Sequence, residues 1–304
     1  MIATLKKKRF KKMKLRQKFL IISWLFILPI LLIRGLTTIY PVFTMLYYSL
    51  LEYDLMNRIR EFNWFHNYPT IFRDVTVQQS IRFTLEFTFI STFFIAVLGI
   101  ALALLLKCEY RGRKLIRTTV LIPWGLPMII VAMAGRWIFN DSFSIINDMI
   151  RQLFYSEFHY PWLADPTGAK MAAYITNIWK GTPFFAIIML AAFQGIPSEL
   201  SESARVDGAS SLRILVSIML PYVKRTIIML VIFVGITQIH SFDIAFALTR
   251  GGPGSTTTLM AYRLFLFAMR GMQFGLASAL SVLMFAFTAI FGVVGLYIYN
   301  KVDY

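Results

Sequence analysis

Six long apolar runs alternate with shorter polar intervals along the chain, and that alternation predicts the main elements. The runs cover residues 19–39, 83–106, 118–139, 171–193, 226–248 and 274–298. An extension of the first past Pro41 toward Ser49 stays open. At ~1.5 Å rise per residue, each run crosses ~30 Å of hydrocarbon as a helix. The short alternating segments of a transmembrane barrel are absent. The expected class is an all-α membrane protein with six transmembrane helices.

Between the fourth and fifth runs the pattern changes. SESARVDGASSLRILVSIMLP, residues 201–221, is polar and rich in small side chains. Pro197 suits a first helical turn, where its missing N–H costs nothing. Glu199 and Glu202 favour the same turn through the helix dipole. Asp207-Gly208 breaks the helix, because glycine tolerates a left-handed backbone. A second helix then begins near Ala209–Ser211, with Leu212, Leu215 and Met219 on one stripe, and Pro221 marks a kink or boundary. Ser203, Ala204 and Ala209 are small enough for another backbone to approach closely. An ordinary connecting loop needs no amphipathic helix, so helix, tight turn and helix point to a docking site.

Charge orients the elements. Hydrophobic residues make up 58% of the 304 and charged ones 15%, with a net charge of +16. Such a charge on a soluble protein suggests nucleic acid; here its placement around the runs explains it better. Of the 31 Lys and Arg, 19 fall before the first run, between the second and third, between the fourth and fifth, and at the C-terminus. Nine fall in the alternate intervals, and Arg34, Arg136 and Lys180 lie within runs. The positive-inside rule then puts both termini and the polar elbow in the cytoplasm. Residues 1–18 read as a basic cytoplasmic segment that orients the chain; binding nucleic acid or anionic lipid is the less common use of such a run. A cleaved signal peptide fits less well, since the following run is too long and no A-x-A-like site appears. The single cysteine, Cys108, excludes an internal disulfide.

Candidate chemistry is sparse. No metal, acid-pair or nucleophile constellation is present, and His66, His159 and His240 lack ligand spacing. There is no phosphate-binding G-x-x-x-x-G-K-[ST]; the Gly-rich GGPG at Gly251 has no following lysine and reads as a tight turn. Polar groups inside runs are costly and often functional. Gln238 sits in the fifth run with Ser241 three residues on, and His240 and Asp243 are close by; interhelical hydrogen bonds are the commoner use of such groups. Lys180, Gly181 and Phe184 occupy a similar depth in the fourth run. Gly181 permits close approach of backbone to a ligand, Phe184 offers a stacking face, and Lys180 pairs with an acid or snorkels. Gly99/Ala103 and Gly275/Ala279 are small-residue pairs suited to helix packing.

The segment ESARVDGA at Glu202 to Ala209, closed by Leu220-Pro221, resembles the EAA loop of ABC-importer permease subunits, with Ser203 where alanine is usual. WKGTPF at Trp179 to Phe184, QGIP at Gln194 to Pro197, Tyr40-Pro41 with Ser49, Asn67-Tyr68, and Arg117 with Pro123 and Pro127 extend the likeness to carbohydrate permeases. LTRGGPG at Leu248 and QFGLASA at Gln273 are similar to the maltose-type "F-like" subunit rather than its "G-like" sibling.

That resemblance implies a type I ABC importer permease fold over residues 19–304, with a coupling loop at 197–221. It implies that Glu202, Ser203, Ala204, Asp207, Gly208 and Ala209 meet an ATPase, and that Gln238, Ser241, Gly181, Phe184 and Lys180 line the substrate path. The implied partners are a second homologous permease, a dimer of ATP-binding subunits and an extracytoplasmic solute-binding protein, in a bacterial inner or plasma membrane. The chain itself would be no enzyme and would bind no cofactor, with ATP and Mg used by the partner ATPase. The expected cargo is a sugar or oligosaccharide; glycerol phosphate or another small anion is the alternative, which Lys180 and Arg34 keep open. A stand-alone secondary transporter is the distant reading, disfavoured because neither an inverted repeat nor discontinuous half-helices are evident.

Overall fold

A computed structural model describes residues 15–109, 111–154 and 156–302. Most of the basic segment before the first run, residues 1–14, therefore lies outside the described residues.

The first run is one path of helix. α1 (Leu15–Arg34) passes through a π-helical turn at Gly35–Ile39 into α2 (Tyr40–Ser49), so the apolar stretch reaches Ser49. A two-stranded hairpin follows: β1 (Leu51–Asp54) pairs antiparallel with β2 (Ile59–Phe62), Leu51 opposite Phe62. α3 (Asn67–Arg73) leads to Asp74, whose carboxylate accepts from the N–H of Thr76 and caps α4 (Val75–Lys107). At 33 residues α4 is ~50 Å long, longer than the bilayer core and longer than the apolar run alone indicated.

The third run departs from a single straight crossing. α5 (Arg113–Val120) and α6 (Ile122–Gly125) meet α7 (Met128–Ile138) at 90°. The cause is Pro127: Leu126 before it is extended, with ψ 140°, as the proline ring requires. α8 (Ile145–Leu153) follows, tied to the segment before α9 because Asn147 donates to Tyr160 O at 3.0 Å and accepts from Trp162 Nε1 at 2.9 Å.

α9 (Pro166–Gln194) starts on the Asp165 cap, which accepts from Gly168 N at 2.8 Å and from the Tyr160 hydroxyl at 2.6 Å. The elbow is α10 (Ser198–Val206) and α11 (Ser211–Ile214), and a π-helical turn at Leu215–Met219 leads to α12 (Leu220–Tyr222). Pro197 is the residue before the elbow helix rather than in its first turn.

α13 (Lys224–Ile239) turns 69° from the preceding helix at Val223. It also stops nine residues short of the expected end at Leu248: His240 leaves helical geometry, and a separate π-helical stretch covers Ile244–Thr249. Discontinuous helices are thus present, contrary to the sequence reading. α14 (Met260–Phe265) and α15 (Phe274–Lys301) complete the chain. Among the described residues, four helical stretches are long and apolar enough to cross a membrane, or up to six if each bent pair is one crossing.

α4 and α9 form the central seam. Glu86 meets Lys170, a Cβ on Gly181 would meet Ile95 Cδ1, and a Cβ on Gly99 would meet the Phe185 ring. The offset stays at 84 to 86 residues along the seam, so the two helices run parallel. Both finish at the elbow, where Lys107, Gln194, Glu202 and Arg205 line one groove. α13 and α15 interlock through Gly235 against Phe291 and Gly295 against Ile232. A Cβ on Gly275 would meet the Leu51 carbonyl, so this glycine lets α15 pack on β1 within the chain.

Candidate functional site: a coupling elbow and a mid-helix cleft

The elbow helix ends in a closed hydrogen-bond motif. Gly208 has φ +82°, Ala209 N–H donates to Ala204 O at 2.9 Å, and Gly208 N–H donates to Arg205 O at 3.0 Å. This is the Schellman arrangement, which satisfies carbonyls that a frayed end would leave open. A Cβ on Gly208 would meet nothing within 4 Å, so glycine is demanded by the backbone conformation alone. The next helix is capped where Ser210 Oγ accepts from Arg213 N–H at 3.3 Å.

Exposure divides the elbow residues. Glu202, Ser203, Asp207 and Gly208 are exposed. Ser203 Oγ turns back onto the Glu199 carbonyl at 2.6 Å. Ala204 and Ala209 instead face the chain's own bundle, packed against the cluster containing Phe193, Ile214 and Met219. Their small size lets the elbow close on the helices behind it, while both stay partly exposed. The expected stripe also shifts: Ile214 and Met219 are buried, while Leu212 is 70% exposed. Val206, which sequence reasoning passed over, is 88% exposed at the tip. In the sequence it is legible only as a valine in a polar run.

The second site is a cleft of about 440 Å³ between α9, α13 and the bend before α7. Lys180, Gly181, Phe184, Gln238 and Ser241 all line it. Lys180 is midway along α9, ~21 Å from either end at 1.5 Å per residue. Its ammonium donates to the Trp124 carbonyl at 3.3 Å, and Asp243 lines the same cleft. Phe184 stacks one face on Trp124, centroids 5.3 Å apart at 17°, and approaches Phe233 at 5.8 Å. Gly181 borders the cleft, but its missing side chain points at Ile95, 2.7 Å from where a Cβ would stand. The missing side chain serves the α4–α9 seam, while the backbone borders the cleft.

Gln238 is the penultimate residue of α13, and Ser241 N–H donates back to its carbonyl at 3.0 Å across the helix break. The Gln238 side chain accepts from Asn177 Nδ2 at 2.9 Å, and both residues are only 7% exposed. His240 reaches the other way, its Nε2 2.9 Å from Thr288 Oγ1 on α15. Asn177 and Trp124 were missed in the sequence. Asn177 lies three residues before Lys180 on α9, a helical spacing that could have found it; Trp124 is brought in by the Pro127 bend, which no local pattern announces. Interrupted backbone at this depth is tolerated where it lines a cavity, and the break at residues 240–243 does so.

Comparison with known proteins fits this arrangement. Residues 95–303 match the family "Binding-protein-dependent transport system inner membrane component". The chain is 34% identical to the trehalose/maltose transport system permease protein MalF of Thermococcus litoralis, covering 92% of this chain and 94% of that one. It is 33% identical to the sulfoquinovosyl glycerol transport system permease protein SmoG of Agrobacterium fabrum, over 88% and 86%. Among solved structures, a bacterial ABC transporter involved in the import of the acidic polysaccharide alginate superposes with a TM-score of 0.79 at 22% identity, over 95% and 98%.

The chain belongs to the binding-protein-dependent transport system inner membrane components. It is a multi-pass membrane permease of the ABC importer class; it is not an enzyme, and ATP hydrolysis resides in a separate subunit. Membership in this family, not the continuity of its helices, is what excludes a stand-alone secondary transporter.

Proposed function

We propose that the chain is the F-like transmembrane subunit of an ATP-driven importer, carrying a sugar or oligosaccharide handed over by an extracytoplasmic binding protein. It crosses the membrane six times, with both bent pairs counted as crossings and both termini in the cytoplasm, as the Lys/Arg asymmetry requires. A second, homologous permease completes the path. A dimer of ATP-binding subunits, using ATP and Mg, receives the elbow through Glu202, Asp207 and Val206. Closure of that dimer moves α10 as a rigid body, because its C-terminus is hydrogen-bonded shut.

The observation that carries the sugar assignment is end-to-end likeness to a trehalose/maltose permease. The cleft agrees with it: an amide pair beside aromatic rings is the chemistry that holds polyhydroxylated rings. Lys180 supports a second reading, in which the cargo carries an anionic group, as the cargo named for the sulfoquinovosyl glycerol relative does. Asp243 in the same cleft weighs against a purely anion-selective site. Uptake of labelled maltose, trehalose, sulfoquinovosyl glycerol and glycerol phosphate into vesicles holding the whole complex separates the readings. Transport of none of the sugars would overturn the assignment.

A further inference from the structure

A second cavity lies on another face of α13. It is a groove of about 500 Å³ between α13 and α15, with α4 bordering one end. Among the described residues that line it, Thr88 alone has a polar side chain. Val294 and Ile298 on its wall are about half exposed, so the groove opens away from the bundle. Along α13 the lining runs from Ile227 to Ile239, ~18 Å at 1.5 Å per residue, and along α15 from Phe287 to Ile298, ~17 Å. One leaflet of a ~30 Å hydrocarbon core is ~15 Å deep, so the groove has the length of a single leaflet. Its inner end lies at mid-membrane: Ile239 follows Gln238, which is bonded to Asn177 near the midpoint of α9.

The other end opens beside the elbow and is basic. Lys224 lies one helical turn before Ile227 and Ile228, and Lys301 one turn after Ile298, so each lysine extends a lined face. Arg225 Nε donates to the Val302 carbonyl at 2.9 Å, and its guanidinium lies 5.7 Å from the Tyr299 ring centre. That bond ties the start of α13 to the end of α15 and brings the adjoining Lys224 and Lys301 to one mouth. Neither lysine forms an ion pair among the described residues; Asp303, the nearest acid in the sequence, lies outside them.

We propose that this groove seats one acyl chain of an anionic phospholipid from the cytoplasmic leaflet, with the lipid phosphate held by Lys224 and Lys301. Basic pockets between membrane helices on the cytoplasmic side suit anionic headgroups. An acyl chain together with a basic patch gives the two signals that make such attachment stable. A helix from a neighbouring subunit would need an apolar track through both leaflets, and this one stops at the middle. The choice of leaflet rests on the orientation proposed above; the groove and its lysines do not depend on the cargo.

The test uses the whole complex in nanodiscs of phosphatidylethanolamine. Each preparation carries a trace of phosphatidylglycerol or of phosphatidylcholine with a diazirine at the end of one acyl chain. After irradiation, adducts are located by peptide mass spectrometry. Phosphatidylglycerol is expected to label the Ile239–Phe287 end of the groove about tenfold more than phosphatidylcholine does. Lys224→Gln with Lys301→Gln should bring the two lipids within about twofold of each other. Val294→Trp should block both while leaving the mouth intact; if it fails to assemble, the lysine variant carries the test, since it leaves the groove unchanged. Equal labelling by the two lipids in the wild type would mean ordinary boundary lipid and would overturn the proposal. Adducts confined to other surfaces, as a neighbouring subunit covering the groove would produce, would overturn it as well. Cleavage of the elbow by protease added outside sealed cells would overturn the choice of leaflet, together with the orientation, without altering where the label falls.

Discussion

The elbow and the cleft are built on opposite plans. The elbow is exposed and local: its shape comes from hydrogen bonds between residues at most five apart, closed by one left-handed glycine. The cleft is half-buried and non-local: its walls come from α6, α9 and α13, and the hydrogen bond from the Asn177 amide to the Gln238 amide joins residues 61 apart. A lever must hold its shape when pushed, so local rigidity suits it. A passage must open and close, so it is assembled from pieces that move relative to one another.

That contrast predicts different failures. The largest effect is expected at Gly208. Valine there must adopt φ near +82°, which costs of order 1–3 kcal/mol at a site with no compensating contact. Gly208→Val should open the elbow and cut transport tenfold or more while ATP hydrolysis by the complex continues; intact coupling in proteoliposomes would refute the lever. Lys180→Met comes next and touches only the cleft. Uptake of a neutral disaccharide should persist within about threefold, while an anionic cargo should lose about tenfold, on the order of one charge-assisted hydrogen bond. Equal loss for both would show that Lys180 holds the bend through Trp124 instead.

The third prediction concerns the seam that carries the cleft. Glu86 accepts from Lys170 Nζ and from the Tyr174 hydroxyl, both at 2.7 Å. Glu86→Ala should destabilise by about 1–2 kcal/mol, discounted because the pair is near 30% exposed. In a thermal-shift assay that means a lower midpoint with the elbow's coupling ratio unchanged. The smallest effect is at Asp165. The Tyr160 hydroxyl and the Gly168 N–H hold its carboxyl below the usual range. A lowered carboxyl contributes stability that is complete above its unfolded pKa of ~3.9 and is lost as pH falls through the lower folded value. Thermal midpoints should therefore be flat from pH 8 to about pH 5 on this account. Asp165→Asn should lessen the fall below pH 4, and an unchanged acid limb would remove Asp165 from it.

The same contrast explains how much could be read from the chain. The elbow was legible nearly residue by residue, because Glu199, Asp207, Gly208 and Pro221 act through local rules. What escaped was direction: Ala204 and Ala209 turn inward and Val206 outward, which depends on the helices behind them. Apolar length found the long helices, and it set α9 to within five residues at either end. It did not find the 90° bend at Pro127 or the stop at Ile239. Hydropathy reports what a segment dissolves in and is silent about its path, so the breaks that create the cleft are invisible to it. The Ile95 contact of Gly181 was invisible for a related reason, since a missing side chain shows a gap without showing which neighbour fills it.

In the first crossing, none of the most apolar window between Ile22 and Ser49 is buried within the chain. Its side chains are therefore constrained by solubility in oil and not by shape. Scrambling the order of Leu, Ile and Phe between residues 22 and 33 should then be harmless to the isolated subunit. Any loss that appears only in the full assembly would map the surface of a neighbouring chain, so the freest helix in this subunit doubles as a probe for what stands beside it.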